Sequence, residues 1–195
     1  MAHEIYESDA MVYRKEGGTP WHKIGVDVPD NLTATEGMMI KNADGVSLDW
    51  ELDKVALLNP HTLRPFKDQE DKGHFMMLRS DNGQIVGNTC TEGYEIFQNR
   101  EQAKLCDSLV ETGAFRLETC GSLKGGRIVW FLGKIKSAEI IPGDFVDCYV
   151  LCYTAHDGSS AFRMFPTVVR VVCANTAAAA RREDKGKGMS IRHTK

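Results

Sequence analysis

Residues 128–132, Ile-Val-Trp-Phe-Leu, are apolar at every position. A β-strand points alternate side chains to opposite faces. Val129 and Phe131, with Ile135, therefore share one face, while Ile128, Trp130 and Leu132 share the other. A strand that is apolar on both faces must be covered on both. One cover is the amphipathic segment 99–113, and the other is a second helix or another subunit. Trp130 is expected in the core.

The flanking sequence extends this reading. Residues 114–123 form a second strand, joined to the first by Leu-Lys-Gly-Gly. Residues 145–155 and 160–165 form a hairpin across His156-Asp157-Gly158-Ser159. Asn-Thr-Ala-Ala-Ala-Ala-Arg-Arg-Glu follows, with strong local helix propensity from its alanines. The order helix, four strands, helix predicts an α+β fold, a curved antiparallel sheet with helices packed mainly on one face.

Upstream, Thr33 and Glu36 have capping-box spacing for a short helix that ends near Asp44-Gly45. Residues 46–58 alternate as a strand, and 59–73 form a polar loop. Residues 74–89 form a hairpin around Asn82-Gly83. Asn99 is the expected N-cap of the next helix, with Gln102 at the box position, and Gly113 ends it. The expected organisation is an irregular segment 1–31, one α+β domain over 32–180 and a basic tail 181–195.

The chain has 195 residues, a length that suits one domain. No run of about 18 apolar residues is present, so no membrane span is expected. The opening residues lack the apolar stretch of a secretory signal. The expected location is the cytoplasm, and the six cysteines are expected as reduced thiols. Net charge is −3, but residues 181–195 hold six basic and two acidic residues, leaving −7 on residues 1–180. A basic arm on an acidic body can meet nucleic acid or an acidic partner.

Catalytic candidates weaken on geometry. Cys148 and Cys152, four apart on one strand, lie roughly 13 Å apart and cannot share a zinc ion without a bend. His156, Asp157, Ser159 and Ser160 are hydrolase side-chain types, but neighbours on a tight turn rarely converge as a triad. The glycines of GSLKGG do not match a phosphate-cradling G-x-x-x-x-G-K-[ST] loop. No catalytic residue, metal centre or cofactor is assigned. The remaining signal is a set of cations, Lys124, Arg127, Lys134, Lys136, Arg163 and Arg170, joined by Arg181, Arg182, Lys185 and Lys187 of the tail. Interleaved with them (and with Arg116) are Trp130, Phe131, Tyr149, Tyr153, Phe162 and Phe165. Single-strand binders pair cations for phosphates with aromatics that stack bases.

Several short segments resemble the phage/plasmid-like proteins grouped as domain of unknown function 932. They are Pro20-Trp21-His22 with Gly25; Tyr94 to Asn99; Glu118 to Leu123 with Gly125-Gly126-Arg127; His156 to Ser159; Arg170 to Thr176; and Arg192-His193-Thr194. The resemblance implies phage, prophage or plasmid origin and action inside a bacterial cell. It transfers no reaction. The strand run ending in a helix is also distantly similar to the β-β-β-α core of phage single-strand annealing proteins, by layout alone. The leading expectation is a non-enzymatic protein that binds or anneals single-stranded nucleic acid as a homo-oligomer. The alternative is an effector that binds a host defence or replication protein through its acidic body.

Overall fold

The computed structural model describes residues 3–113, 115–184, 186 and 188–193, apart from the side chains of Asn88 and Thr89. Its α+β architecture consists mostly of sheet. The strands are β1 (Met11–Arg14), β2 (Val26–Val28), β3 (Leu52–Ala56), β4 (His74–Arg79), β5 (Ile85–Thr91), β6 (Arg116–Leu123), β7 (Ile128–Ile141), β8 (Asp144–Ala155), β9 (Phe162–Thr167) and β10 (Met189–Ile191). The helices are α1 (Ala34–Met39), α2 (Asn99–Glu111) and α3 (Ala174–Glu183). A seven-stranded open sheet runs β10-β9-β8-β7-β6-β1-β2, antiparallel except for the parallel pair β1–β2. A smaller antiparallel sheet runs β3-β4-β5. No helix among the described residues is long and apolar enough to cross a membrane.

The doubly apolar run lies at the centre of the large sheet, in β7, and divides the core in two. Val129 and Phe131 pack with Ala34 and Met38 of α1, Ala103 and Cys106 of α2, and Met77 and Val86 of the small sheet. Trp130 and Leu132 pack on the other side with Ala177 and Ala180 of α3. The second cover is thus a helix of the same chain, whose small alanines let it sit close to the sheet. Trp130 is fully buried and donates its indole N–H to Thr119 Oγ1 at 3.1 Å. Its partner across β6 is Gly121, where a Cβ would come within 2.4 Å of the indole.

The β6–β7 turn is fixed from a distance. Gly125 and Gly126 take φ of +74° and +91°, which L side chains rarely adopt. Their N–H groups both donate to the buried carboxylate of Asp9, which also accepts from Ser122 Oγ at 2.6 Å. The glycines of GSLKGG therefore serve a turn clamped by an aspartate more than a hundred residues upstream. The six cysteines are free thiols.

Four local expectations are corrected. The segment 1–31 is not irregular throughout: β1 and β2 extend the large sheet, with Met11 opposite Gly121. The strand expected over 46–58 is confined to Leu52–Ala56, because Leu48 and Trp50 turn into the core and their carbonyls accept from Asn99 Nδ2. Asn99 is consequently not the cap of α2. Gln98 is the cap one residue earlier, its N–H donating to the Glu101 carboxylate while its side chain bonds Leu52. The expected tail is also structured in part, since Arg181 and Arg182 complete α3 and Met189–Ile191 pair with β9.

Beyond the sheet, β7 and β8 continue as a two-stranded arm. β6 pairs with β7 only as far as Lys134, and β9 joins β8 only from Tyr149. Residues 135–148 carry Ile140, Ile141 and Phe145 at the arm's exposed end, each more than 60% exposed.

Candidate nucleic-acid interface

The cations picked out in the sequence do not form one continuous row. Lys124, on the β6–β7 turn, pairs with Glu4 at 3.2 Å. Lys134 pairs with Asp147 at 2.6 Å, and Arg163 of β9 pairs with Asp184. Arg170 reaches Glu118 at 2.7 Å and donates to the Gly18 carbonyl. Arg127, Lys136 and Arg182 are exposed and form no ion pair with a described residue. Lys185 and Lys187 lie outside the described residues. The six interleaved aromatics, Trp130, Phe131, Tyr149, Tyr153, Phe162 and Phe165, are all buried. Bases cannot stack on them without opening the core.

Two of the cations do converge. Tyr153 and Arg163 are cross-strand neighbours on β8 and β9, so both side chains leave the sheet on the α3 side. Ala177 and Ala180 hold α3 against that face, which brings Arg181 over Tyr153. The Arg181 guanidinium lies 4.8 Å from the Tyr153 ring centre and donates to its hydroxyl at 3.0 Å. In the last turn, Arg181 and Arg182 also offset the partial negative charge of the helix's final carbonyls. Together Tyr153, Ser160, Arg163, Phe165, Arg181, Asp184 and Gly186 line a hollow of about 230 Å³. Both guanidiniums are positioned before any ligand arrives, Arg181 by the tyrosine and Arg163 by Asp184. A planar fork of N–H donors suits phosphate or carboxylate oxygens. Asp184 cancels one of the two charges, leaving the hollow singly positive. Sequence reasoning named Tyr153 as a surface for bases rather than as the support of Arg181, and it missed Asp184 as a partner, because no spacing links 153, 163 and 184.

The segments that carry the family resemblance make a buried polar framework. Thr119 Oγ1 donates to the Val171 carbonyl at 2.6 Å. Glu118, almost fully buried, binds Arg14 at 2.9 Å and Arg170 at 2.7 Å. Gln98 exchanges two hydrogen bonds with the backbone of Leu52. His22 Nε2 donates to the Val172 carbonyl, and Thr176 accepts from the Val172 and Cys173 N–H groups at the start of α3. His193 Nδ1 donates to the Glu95 carbonyl, and its ring stacks on Tyr94. The hydrolase-type side chains are not joined to one another: Asp157 accepts from the Ser159 N–H, and Ser160 Oγ donates to the Ala161 carbonyl.

His156 is strongly perturbed within this framework. Its Nε2 donates to Asn99 Oδ1 at 2.9 Å, because Asn99 Nδ2 is committed to the Leu48 and Trp50 carbonyls. Burial, with a smaller contribution from His193 nearby, pushes its pKa down to about 3. The unfolded histidine titrates near 6.5, so between these values the unfolded chain binds the extra proton. The stabilising effect of neutral His156 is complete above pH 6.5 and declines as pH falls toward 3. Denaturant unfolding at pH 7.5 and pH 5 is expected to show a loss of about 2 kcal/mol at the lower pH from this residue. His156→Gln should lose that share of the pH dependence, and an unchanged dependence in the variant would assign it elsewhere.

A family model described as Domain of unknown function (DUF932) matches residues 88–195. All of the resembling segments from Tyr94 onward fall inside it, whereas Pro20-Trp21-His22 precedes it. No curated protein and no solved structure matches the chain significantly.

Proposed function

The chain belongs to the DUF932 family, and on that premise we propose that it is a non-enzymatic phage or plasmid protein, acting inside a bacterial cell, that binds single-stranded nucleic acid through its phosphates. The observation behind this reading is the convergence of Arg163 and Arg181 on one preformed hollow, beside exposed Arg182; Arg181 and Arg182 open the segment 181–195, whose net charge is +4. Binding is by backbone contact, since the aromatics once expected to stack bases are core residues. Two further exposed cations of the set are scattered, Arg127 on the β6–β7 turn and Lys136 on the arm. A flexible single strand can bend to reach scattered cations, whereas a rigid duplex meets fewer of them. The succession β6–β9 then α3 supports the likeness of layout to phage annealing proteins, with α1 and α2 on one face of the sheet and α3 on the other.

Competition between labelled single strands and duplex at near-physiological salt tests the proposal. Single strands should win, with half-saturation at or below about 10 µM, within the usual range of non-specific affinity. If neither form competes at that concentration, the reading falls to the second one, an effector that binds a host protein. That reading is favoured by a separate observation. Val55, Leu58, Leu63 and Phe66 are each exposed on β3 and the loop after it, on the body that carries the excess negative charge.

A further inference from the structure

We propose that copies of this chain assemble head to tail, with the β7–β8 arm of one copy lying along the β10 edge of the next. Residues 135–141 and 144–148 form a ribbon that no third strand joins among the described residues. A two-stranded ribbon alone is only marginally stable in water. Its outer edges present unpaired backbone groups, a template for another strand. Its end also exposes Ile140, Ile141 and Phe145, three large apolar side chains that call for cover.

The matching surface is the outer strand of the same sheet. β10 is an edge strand, and Met189, Ser190 and Ile191 are all exposed. Charge selects the pairing. From Ile135 to Cys148 the arm carries Glu139, Asp144 and Asp147 against the one cation Lys136, a net charge of −2, with Asp147 held by Lys134. The segment 181–195, which contains β10, has a net charge of +4. Two acidic arms repel, as do two basic edges, while an arm and an edge attract. The contact therefore joins unlike patches, and where a pair of copies does not reciprocate it the contact builds rings or filaments.

Light scattering and sedimentation of the full chain, after nuclease treatment, across protein and salt concentration test this without any oligonucleotide. Oligomers larger than dimers should form and should dissociate as salt rises. Asp144→Lys should weaken assembly by at least about tenfold, and so should Arg192→Glu. Combining the two in one chain should restore much of it. Phe145→Ser, at a solvent-exposed position, should also weaken assembly while leaving the melting temperature unchanged, which separates loss of assembly from loss of folding. A wild-type chain that stays monomeric at about 100 µM would overturn the proposal. So would a dimer indifferent to Asp144→Lys and Phe145→Ser, or an arm that associates only when a host protein is added.

Discussion

Trp130→Ala is expected to destabilise the protein by about 3–5 kcal/mol, the usual cost of truncating a fully buried aromatic side chain. Trp130 fills the space between β6 and α3, and its ring lies against Gly121, where no larger residue could take its place. Truncation removes contacts to Leu132, Ala177 and their neighbours and leaves a cavity that a β-sheet cannot readily collapse. It also leaves Thr119 Oγ1 without its indole donor. Denaturant unfolding measures the effect directly. A variant with an unchanged midpoint would contradict the central place given to β7.

Glu118→Gln is expected to cost a comparable amount, about 3–5 kcal/mol, for a different reason. Glu118 is almost fully buried and is shared by Arg14, whose side chain is also almost fully buried, and by Arg170. The amide keeps the shape but removes the charge, so two guanidiniums face a neutral group. Arg14 retains Glu16 at 2.8 Å and Asp30 at 3.6 Å, whereas Arg170 meets no second carboxylate among the described residues. The loss should therefore appear first as loosening of the segment that carries Arg170 between β9 and α3, seen as faster hydrogen exchange at Val171 and Val172. A variant as stable as the parent would mean that the pair contributes nothing beyond its desolvation cost.

The strands β6 to β9 and the helix α3 were legible because their signals are local. Apolar alternation, glycine turns and an alanine run each act within a dozen residues. β1 and β2 were not legible, since four- and three-residue strands among glycines and prolines show little periodicity and β1 finds its partner over a hundred residues away in β6. The cap of α2 shifted by one residue because two overlapping cap spacings were available, and the buried carbonyls of Leu48 and Trp50 claimed Asn99. The interface was the least legible part. Lys124, Lys134, Arg163 and Arg170 each meet a carboxylate remote in sequence, and pairing of that kind leaves no mark in composition. The buried aromatics were foreseeable in part. Once β7 is apolar on both faces, Trp130 and Phe131 are committed to the core and are lost as stacking platforms.

The most direct test of the account is the salt dependence of single-strand binding by the parent and by Arg163→Gln/Arg181→Gln. Each phosphate contact to a single strand contributes about 0.7 to the slope of log affinity against log salt. Removing two such contacts should lower the slope by about 1.4 and weaken binding for all sequences alike. An unchanged slope, with the double variant still folded, would contradict the assignment of this hollow as the place where the chain grips a phosphate backbone.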